Sequence, residues 1–266
     1  AVARVCKETP TDRWGDELRI GADGTATKLV DDLAEREILR ILKAQKKHKI
    51  NLLSEEAGFV DFKGDRLLVA DPIDGSTNAA RGIPFYCVSL AVGRKALSDV
   101  DVGLVQNLCT GERYEAIAGR GAWYNGKPIR VKTPGKESVW AVGIGRGNEA
   151  IVPPSGGVLR SFGATALEMA LVGSGALDGY QYARPILRII DIAAATLIVR
   201  EAGGVVHDRA GQDLDLALSL VPRFGRTAAA TREAPLKMGV PKAKLGSRRD
   251  AGTNAASRPG TTGPPL

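Results

Sequence analysis

No apolar run in the chain approaches the eighteen residues of a membrane-spanning helix, and no secretory signal is visible, so no membrane partner is expected. Cysteine is scarce. Cys6, Cys87 and Cys109 form no zinc-binding spacing and, being three, cannot all pair within one chain, which makes the reduced cytoplasm the simplest compartment. Low-complexity segments and solenoid-length repeats are absent before the C-terminal tail. Excess charge is absent there too: residues 1–220 carry 28 basic and 28 acidic side chains, while residues 221–266 carry nine and two, so the net charge of +7 is terminal. From about Gly246 the tail is rich in Gly, Pro, Ser and Thr without periodic apolar residues, and it is expected to be disordered. It has no aromatic residue to stack on bases, so nucleic-acid binding through it is a weaker reading than a solvated tail. What remains is ordinary for a soluble protein. With 266 residues, 44% hydrophobic and 25% charged, the chain can bury one large core or two tightly fused halves.

The most informative stretch is Asp71-Pro72-Ile73-Asp74-Gly75-Ser76-Thr77-Asn78, directly after the apolar run Leu67-Leu68-Val69-Ala70. A buried strand ending at Ala70 would deliver both aspartates to its carboxyl end, where open α/β sheets place their ligands. Pro72 removes a donor and fixes one φ angle, and Gly75 lets the backbone approach a ligand and offer its N–H to an anion. Hard oxygen ligands so placed suit magnesium or manganese rather than zinc, held against a phosphate. A polar turn after a strand is the plain alternative. An EF-hand needs glycine sixth and glutamate twelfth, but counting from Asp71 the glycine is fifth and Gly82 is twelfth. That option fails. A phosphoaspartate enzyme usually carries two aspartates one residue apart, and here two residues intervene.

Three further clusters bear on the choice. Glu55-Glu56 follows the apolar Ile50-Asn51-Leu52-Leu53 and precedes Gly58, which puts an acidic pair at the end of another short strand. Ile192, Ala195, Thr196 and Val199 recur at helical spacing within a segment that runs from Ile189 to Gly204. Asp191 then opens the helix, as a cap or as a metal ligand, and Gly203 supplies a left-handed C-terminal cap. Lys28, Asp31 and Glu35 share one face of an expected helix from Thr27 to Lys43, where a surface ion-pair row is the plain reading.

Taken together and in this order, the clusters resemble the inositol monophosphatase superfamily of metal-dependent, lithium-sensitive sugar phosphatases. Its pattern is a glutamate pair, then D-P-[IL]-D-G-[ST]-x-N, then a distal aspartate opening a helix that ends Glu-Ala-Gly-Gly. Here these are Glu55-Glu56, Asp71 to Asn78, and Asp191 to Gly204, within a resemblance that runs from about Gly21 to Thr231. The segments Gly21 to Lys28, Gly82-Ile83-Pro84-Phe85-Tyr86 and Ala183-Arg184-Pro185 look most like the archaeal branch, which includes enzymes acting on both inositol-1-phosphate and fructose-1,6-bisphosphate.

The resemblance implies that Glu55, Asp71, Asp74, Asp191 and the backbone carbonyl of Ile73 hold two or three magnesium ions, with manganese a substitute. Gly75 and Ser76, with Asp74, would bind the phosphate. Ser76 and Asp31 would orient a water for in-line attack, and Glu55 would also accept a proton. Serine stands where threonine is often found; it keeps the hydroxyl but loses the methyl that restricts its rotamers. Gly163, Ala164 and Thr165, before an amphipathic run, would present free N–H groups to the sugar. Arg184 stands where mammalian-type members carry glutamate, and its guanidinium suits a second phosphate. A surface arginine or an ion pair is the alternative there.

Strands are expected at Leu67 to Ala70, Tyr86 to Val92, Val100 to Asn107, Arg113 to Ala118 and Gly204 to His207, with a turn at Asn125-Gly126. Periodicity supports an α/β or α+β chain; the resemblance implies a five-layered αβαβα sandwich and a homodimer. The expected division is a metal-binding α+β half at 1–125, an α/β substrate half at 126–240 and the basic tail at 241–266. The chain opens without methionine, inside a helical pattern from Ala1 to Lys7, and is expected to lack part of the first helix that the resemblance implies. A phosphatase of fructose-1,6-bisphosphate, inositol-1-phosphate or both is the reading these residues support. The alternatives are a nucleotide phosphatase acting on NADP or phosphoadenosine phosphate and, more remotely, a nucleic-acid-binding protein.

Overall fold

The computed structural model describes residues 1–45, 47, 49–133, 137–143, 157–182, 187–208, 211–220 and 228–230. Arg184 and the tail at 241–266 lie outside them. The described elements begin with α1 (Val2–Glu8), the hairpin β1 (Glu17–Ile20) and β2 (Ala26–Lys28), and α2 (Leu29–Ala44). Next come β3 (Asn51–Ser54), β4 (Gly58–Val60), β5 (Leu67–Asp74), α3 (Ser76–Ala80), β6 (Cys87–Gly93), β7 (Val102–Asn107), β8 (Arg113–Ile117), β9 (Gly121–Tyr124) and β10 (Lys127–Ile129). The remainder is β11 (Val139–Gly143), β12 (Val158–Arg160), α4 (Thr165–Gly173), β13 (Gly179–Tyr182), α5 (Ile189–Glu201), β14 (Val205–His207) and β15 (Ala228–Ala230).

Eight strands form one sheet in the order β10-β9-β8-β7-β6-β5-β3-β4, and five form another in the order β12-β11-β13-β15-β14. The protein is of mixed α/β class, as expected. Helices α1 and α2 cover one face of the large sheet, and α4 and α5 lie between the two sheets. Of the layers αβαβα, the described residues supply four in the order helix, sheet, helix, sheet. Strand β10, beyond the boundary expected at residue 125, pairs with β9 in the large sheet.

Strand alternation explains how the large sheet is buried on both faces. Leu53, Leu67 and Val69 pack toward α4 and α5, while Leu52 and Ala70 pack toward α1 and α2. Helix α5 is buried over most of its length, and its run Ala193-Ala194-Ala195 allows a close approach to β7. At the contact a Cβ on Gly103 would stand 2.7 Å from the Ala194 carbonyl oxygen, so only glycine fits. A truncation such as Ile192→Ala in this layer is expected to cost about 2–5 kcal/mol.

The structure corrects several expectations. Strand β5 does not stop at Ala70; it continues through Pro72 to Asp74, and the turn comes at Gly75, whose φ of 88° suits glycine. Helix α2 begins at Leu29, with Lys28 as its N-cap, and Asp31 and Glu35 are buried rather than part of a surface row. Glu35 accepts hydrogen bonds from the Ser54 hydroxyl and, at 3.1 Å, from the Ala57 N–H. Helix α4 is not amphipathic, because every residue in it except Leu171 is buried between the sheets. Asp191 is the third residue of α5 instead of its first. Gly203 has the left-handed φ expected of it, 89°.

A carboxylate-lined candidate active site

A register shift in β5 builds the site. Residues three apart on a regular strand point to opposite faces, yet opposite β6 the partners are Asp71 with Ser89 and Asp74 with Cys87, so three residues face two. Pro72 lies in the bulge, where its missing donor costs no ladder bond. The alternation is thereby reset. Asp71 continues the Leu67 and Val69 face toward α5, Ile73 turns to the opposite core, and Asp74 again faces α4, accepting from the Ala166 N–H at 2.6 Å. Asp71 is further pinned by accepting from the Ile73 N–H at 3.1 Å.

Parallel pairing of β3 with β5 sets Ser54 against Ala70, so Glu55 arrives beside Asp71. Asp191 comes from the first turn of α5 and completes the group. Burial pushes the Asp71 carboxyl well up, and the charges of Glu55 and Asp74 push it further. Burial, with the charge of Asp191, raises Asp74 to about 7. Burial also raises Glu55. Asp31 is raised to about 7 by burial and by Glu55, and Glu56 to about 7 by burial despite the hydrogen bond it accepts from the Thr27 hydroxyl. Carboxyls gathered at such a cost to ionisation define a place for positive charge.

These groups surround a cavity of about 530 Å³ lined among others by Asp31, Glu55, Asp74, Gly75, Ser76, Gly163, Thr165 and Asp191. Asp71, Ile73 and Ala164 are buried behind the lining. A larger, more open hollow of about 810 Å³, lined by Lys47, Lys49, Lys63 and Arg66, contains none of the expected site residues. Its size is no argument for function, since it lacks convergent, strongly perturbed groups.

Glu55, Asp74 and Asp191 at the cavity, with Asp71 buried behind it, are hard carboxylate donors of the kind a divalent cation takes, and the Cys87 thiol donates to Asp74 Oδ2 at 3.6 Å. Among the described residues no three acidic, cysteine or histidine side chains already stand as a ligand cage. A cationic side chain lies among them. The Arg188 guanidinium donates from Nη1 to Asp23 Oδ2 at 2.6 Å and to Glu55 Oε1, and from Nη2 to Asp191 Oδ1 at 2.8 Å.

One further expectation needs amendment. The N–H groups before α4 are not free: the Phe162 N–H donates to Glu168 Oε1 at 2.8 Å, Gly163 and Ala164 also give N–H groups to Glu168, and Asp74 takes those of Thr165 and Ala166. Glu168 itself is raised to about 8 by burial. Arg184 lies outside the described residues.

Sequence reasoning assigned no role to Arg188, Asp23 or Asn78. The Asn78 amide donates to the carbonyls of Phe85 at 2.8 Å and Phe162 at 2.7 Å, tying the aspartate loop to the 161–165 turn. Lys28, noted only for its helix face, donates from Nζ to Ser76 Oγ at 2.7 Å. For Arg188 a signal did exist. A residue three before an acidic residue at a helix start reads as the N-cap of a capping box, and the Arg188 N–H indeed donates to Asp191 Oδ2 at 2.7 Å.

Fold and site thus define a layered two-sheet α/β protein with an acidic, cation-seeking cavity at the end of a central strand. The model of the inositol monophosphatase family matches residues 1–239, and the chain belongs to that family. It is 37% identical over 240 residues to the fructose-1,6-bisphosphatase/inositol-1-monophosphatase of Methanothermobacter thermautotrophicus, covering 84% of this chain and 85% of the relative. It is 33% identical over 236 residues to the bifunctional NADP phosphatase/NAD kinase of Methanococcus maripaludis, covering 79% of this chain and 41% of that protein. Among solved structures, an inositol monophosphatase-fructose 1,6 bisphosphatase superposes with a TM-score of 0.76 at 30% identity, covering 87% of this chain and 93% of that one.

Proposed function

We propose that the chain is a magnesium-dependent phosphomonoesterase acting on a phosphorylated sugar, either fructose-1,6-bisphosphate or inositol-1-phosphate or both. The observation that carries this reading is the register shift that turns Asp71 and Asp74 to one face, toward Glu55 and Asp191. The relative from Methanothermobacter, similar over most of both chains, bears both activities in its name. Glu55, Asp71, Asp74, Asp191 and the Ile73 carbonyl would hold magnesium or manganese, two or three ions together. Bound there, such ions neutralise phosphate oxygens and lower the pKa of water toward neutrality.

The chain's own residues supply the rest. Lys28 occupies a lone pair of Ser76 Oγ, which leaves the hydroxyl proton to be directed at another partner. Asp31, buried beside Glu55 and held above the ordinary carboxylate range, would take a proton from an attacking water. Ser76 and Asp31 together would orient that water, and Glu55 would share the proton. Gly75 and Ser76 would hold the phosphate, with the turn from Gly163 to Thr165 beside the sugar. Arg184 would meet a second phosphate. The homodimer, inhibition by lithium, a cytoplasmic location and the division into halves at 1–125 and 126–240 belong to the same proposal.

Phosphate release from a panel of both sugar phosphates and NADP, measured with and without magnesium, tests this reading. Release from a sugar phosphate only when magnesium is present is the expected result. Release from NADP alone would favour the nucleotide phosphatase, the second reading, which the similarity to a bifunctional NADP phosphatase supports.

A further inference from the structure

Arg188 is the N-cap residue of α5, and its placement is specific. Its backbone N–H, Nε and Nη2 all donate to Asp191, at 2.7, 3.1 and 2.8 Å. Nη1 serves Asp23 at 2.6 Å and also Glu55. One guanidinium therefore joins carboxylates from three separate segments: the turn between β1 and β2, the end of β3 and the first turn of α5. Only 16% of the side chain is exposed, so water screens these contacts little. It also lines the cavity.

We infer that Arg188 is a resident counter-ion that competes with divalent metal for Glu55 and Asp191, and that its guanidinium is displaced from them when metal binds. This rests on the metal-dependent reading above. A cluster of buried carboxylates needs positive charge to be stable, and a buried acid left without a partner is costly. A single guanidinium supplies one charge, fixed at Glu55 and Asp191. A divalent ion held by the same two carboxylates would bring two further positive charges into the neighbourhood of that guanidinium. Like charges held close in a poorly screened site repel strongly, and the guanidinium already donates to both oxygens of Asp191 and to one of Glu55. The arginine therefore holds the metal-free protein together and opposes its loading. The displaced head has an outlet, because it already borders the cavity.

The test is magnesium binding to the chelator-stripped full chain, followed by isothermal calorimetry without substrate, for the wild type, Arg188→Gln and Arg188→Lys. Arg188→Gln removes the competing charge and should bind magnesium about tenfold more tightly or better. Its metal-free melting temperature should fall below that of the wild type, and saturating magnesium should close the gap. Arg188→Lys keeps a charge but loses the planar fork, so an affinity gain of about threefold is expected; it carries the test if Arg188→Gln does not fold. A purely structural arginine would leave metal affinity unchanged or weakened in both variants, and that result overturns the inference. If the wild type binds and uses magnesium while neither variant binds it more tightly, only the counter-ion role is lost. If no form binds magnesium and no sugar phosphate is hydrolysed, both readings fall.

Discussion

Two hollows of the molecule sit at opposite ends of one strand. Arg66, just before β5, lines the larger basic hollow, and Asp74, its last residue, lines the smaller acidic one. At roughly 3.3 Å per residue the two ends lie about 25 Å apart. The basic hollow is wide, and its charges are dispersed: Lys63 pairs with Asp61, and Arg66 pairs with Asp101. The acidic cavity gathers buried carboxyls held above their ordinary range by burial and by acidic neighbours, Glu55 and Asp74 acting on Asp71 and Asp191 on Asp74. Charges that neighbouring solvent or partners can satisfy cost little and imply little. Buried like charges persist only where something else, such as a bound cation, repays their repulsion.

The comparison breaks most sharply at β5. Asp71→Asn or Asp74→Asn each exchanges an anionic ligand for a neutral isostere, and turnover should fall about a thousandfold or more. Asn keeps the oxygen that accepts from the Ile73 or Ala166 N–H, so the fold should survive. Metal-free variants should melt slightly higher than the wild type, since a carboxyl whose ionisation burial and its acidic neighbours disfavour is gone. Steady-state kinetics at moderate magnesium, with a thermal melt of the stripped protein, checks both halves of the expectation. Near-normal turnover in either variant would remove the functional meaning of the acidic end.

Arg184→Ala comes next in size. If its guanidinium meets a second phosphate, the Michaelis constant for fructose-1,6-bisphosphate should rise about a hundredfold, while that for inositol-1-phosphate, which offers no second phosphate, barely moves. Equal losses on both substrates would make Arg184 structural and remove the residue-level support for a bisphosphate substrate.

Much of the acidic end was legible in the sequence because its ligands sit in contiguous strings, each at the end of an apolar run. The helix of Asp191 and Gly203 and the strands of the large sheet were legible for the same reason, since periodicity reports burial. The bulge was not. Nothing in Leu67 to Asp74 announces that the strand resumes after Pro72, because the resetting of alternation depends on pairing with β6, fifteen or so residues away. Asp31 and Glu35 misled for a related reason. Acidic residues at helical spacing read as a solvated row unless one knows that Ser54 and Ala57 donate to the buried Glu35. Arg188 was missed because its partners Asp23 and Glu55 stand far off in the chain, and only its spacing to Asp191 is local.

The acidic end should also make stability depend on pH in an unusual direction. Asp31, Glu56 and Asp74 are each raised to about 7, mainly by burial. The folded, metal-free protein therefore holds protons that the unfolded chain releases near pH 4. Their contribution is fully present below that pH and is lost as pH rises through about 7, so the stripped protein should melt lower at pH 8 than at pH 5. Magnesium should flatten or reverse the trend, because it binds the deprotonated carboxylates of the folded state. Melting curves across this range with and without magnesium test it; a stripped protein equally stable at both values would mean that the carboxyls are neutralised by other means.

The basic end supplies the smallest expected effect and the control for all the others. Lys47 and Lys49 line the large hollow from the exposed segment after α2, and neither reaches the carboxylates that carry the proposed chemistry. Replacing exposed lysines there by alanine removes no buried partner and leaves no cavity, so Lys49→Ala should change stability by no more than about 0.5 kcal/mol. Long-range steering of an anionic substrate is the one route by which the pair could act on turnover, and at physiological salt charges about 25 Å away lie well beyond the screening length of roughly 8 Å. The Lys47→Ala/Lys49→Ala double variant should therefore keep kcat and KM within about twofold at 0.15 M salt. A larger change in KM for the sugar phosphate would show that the two ends of β5 are coupled and that the larger, basic hollow carries functional weight.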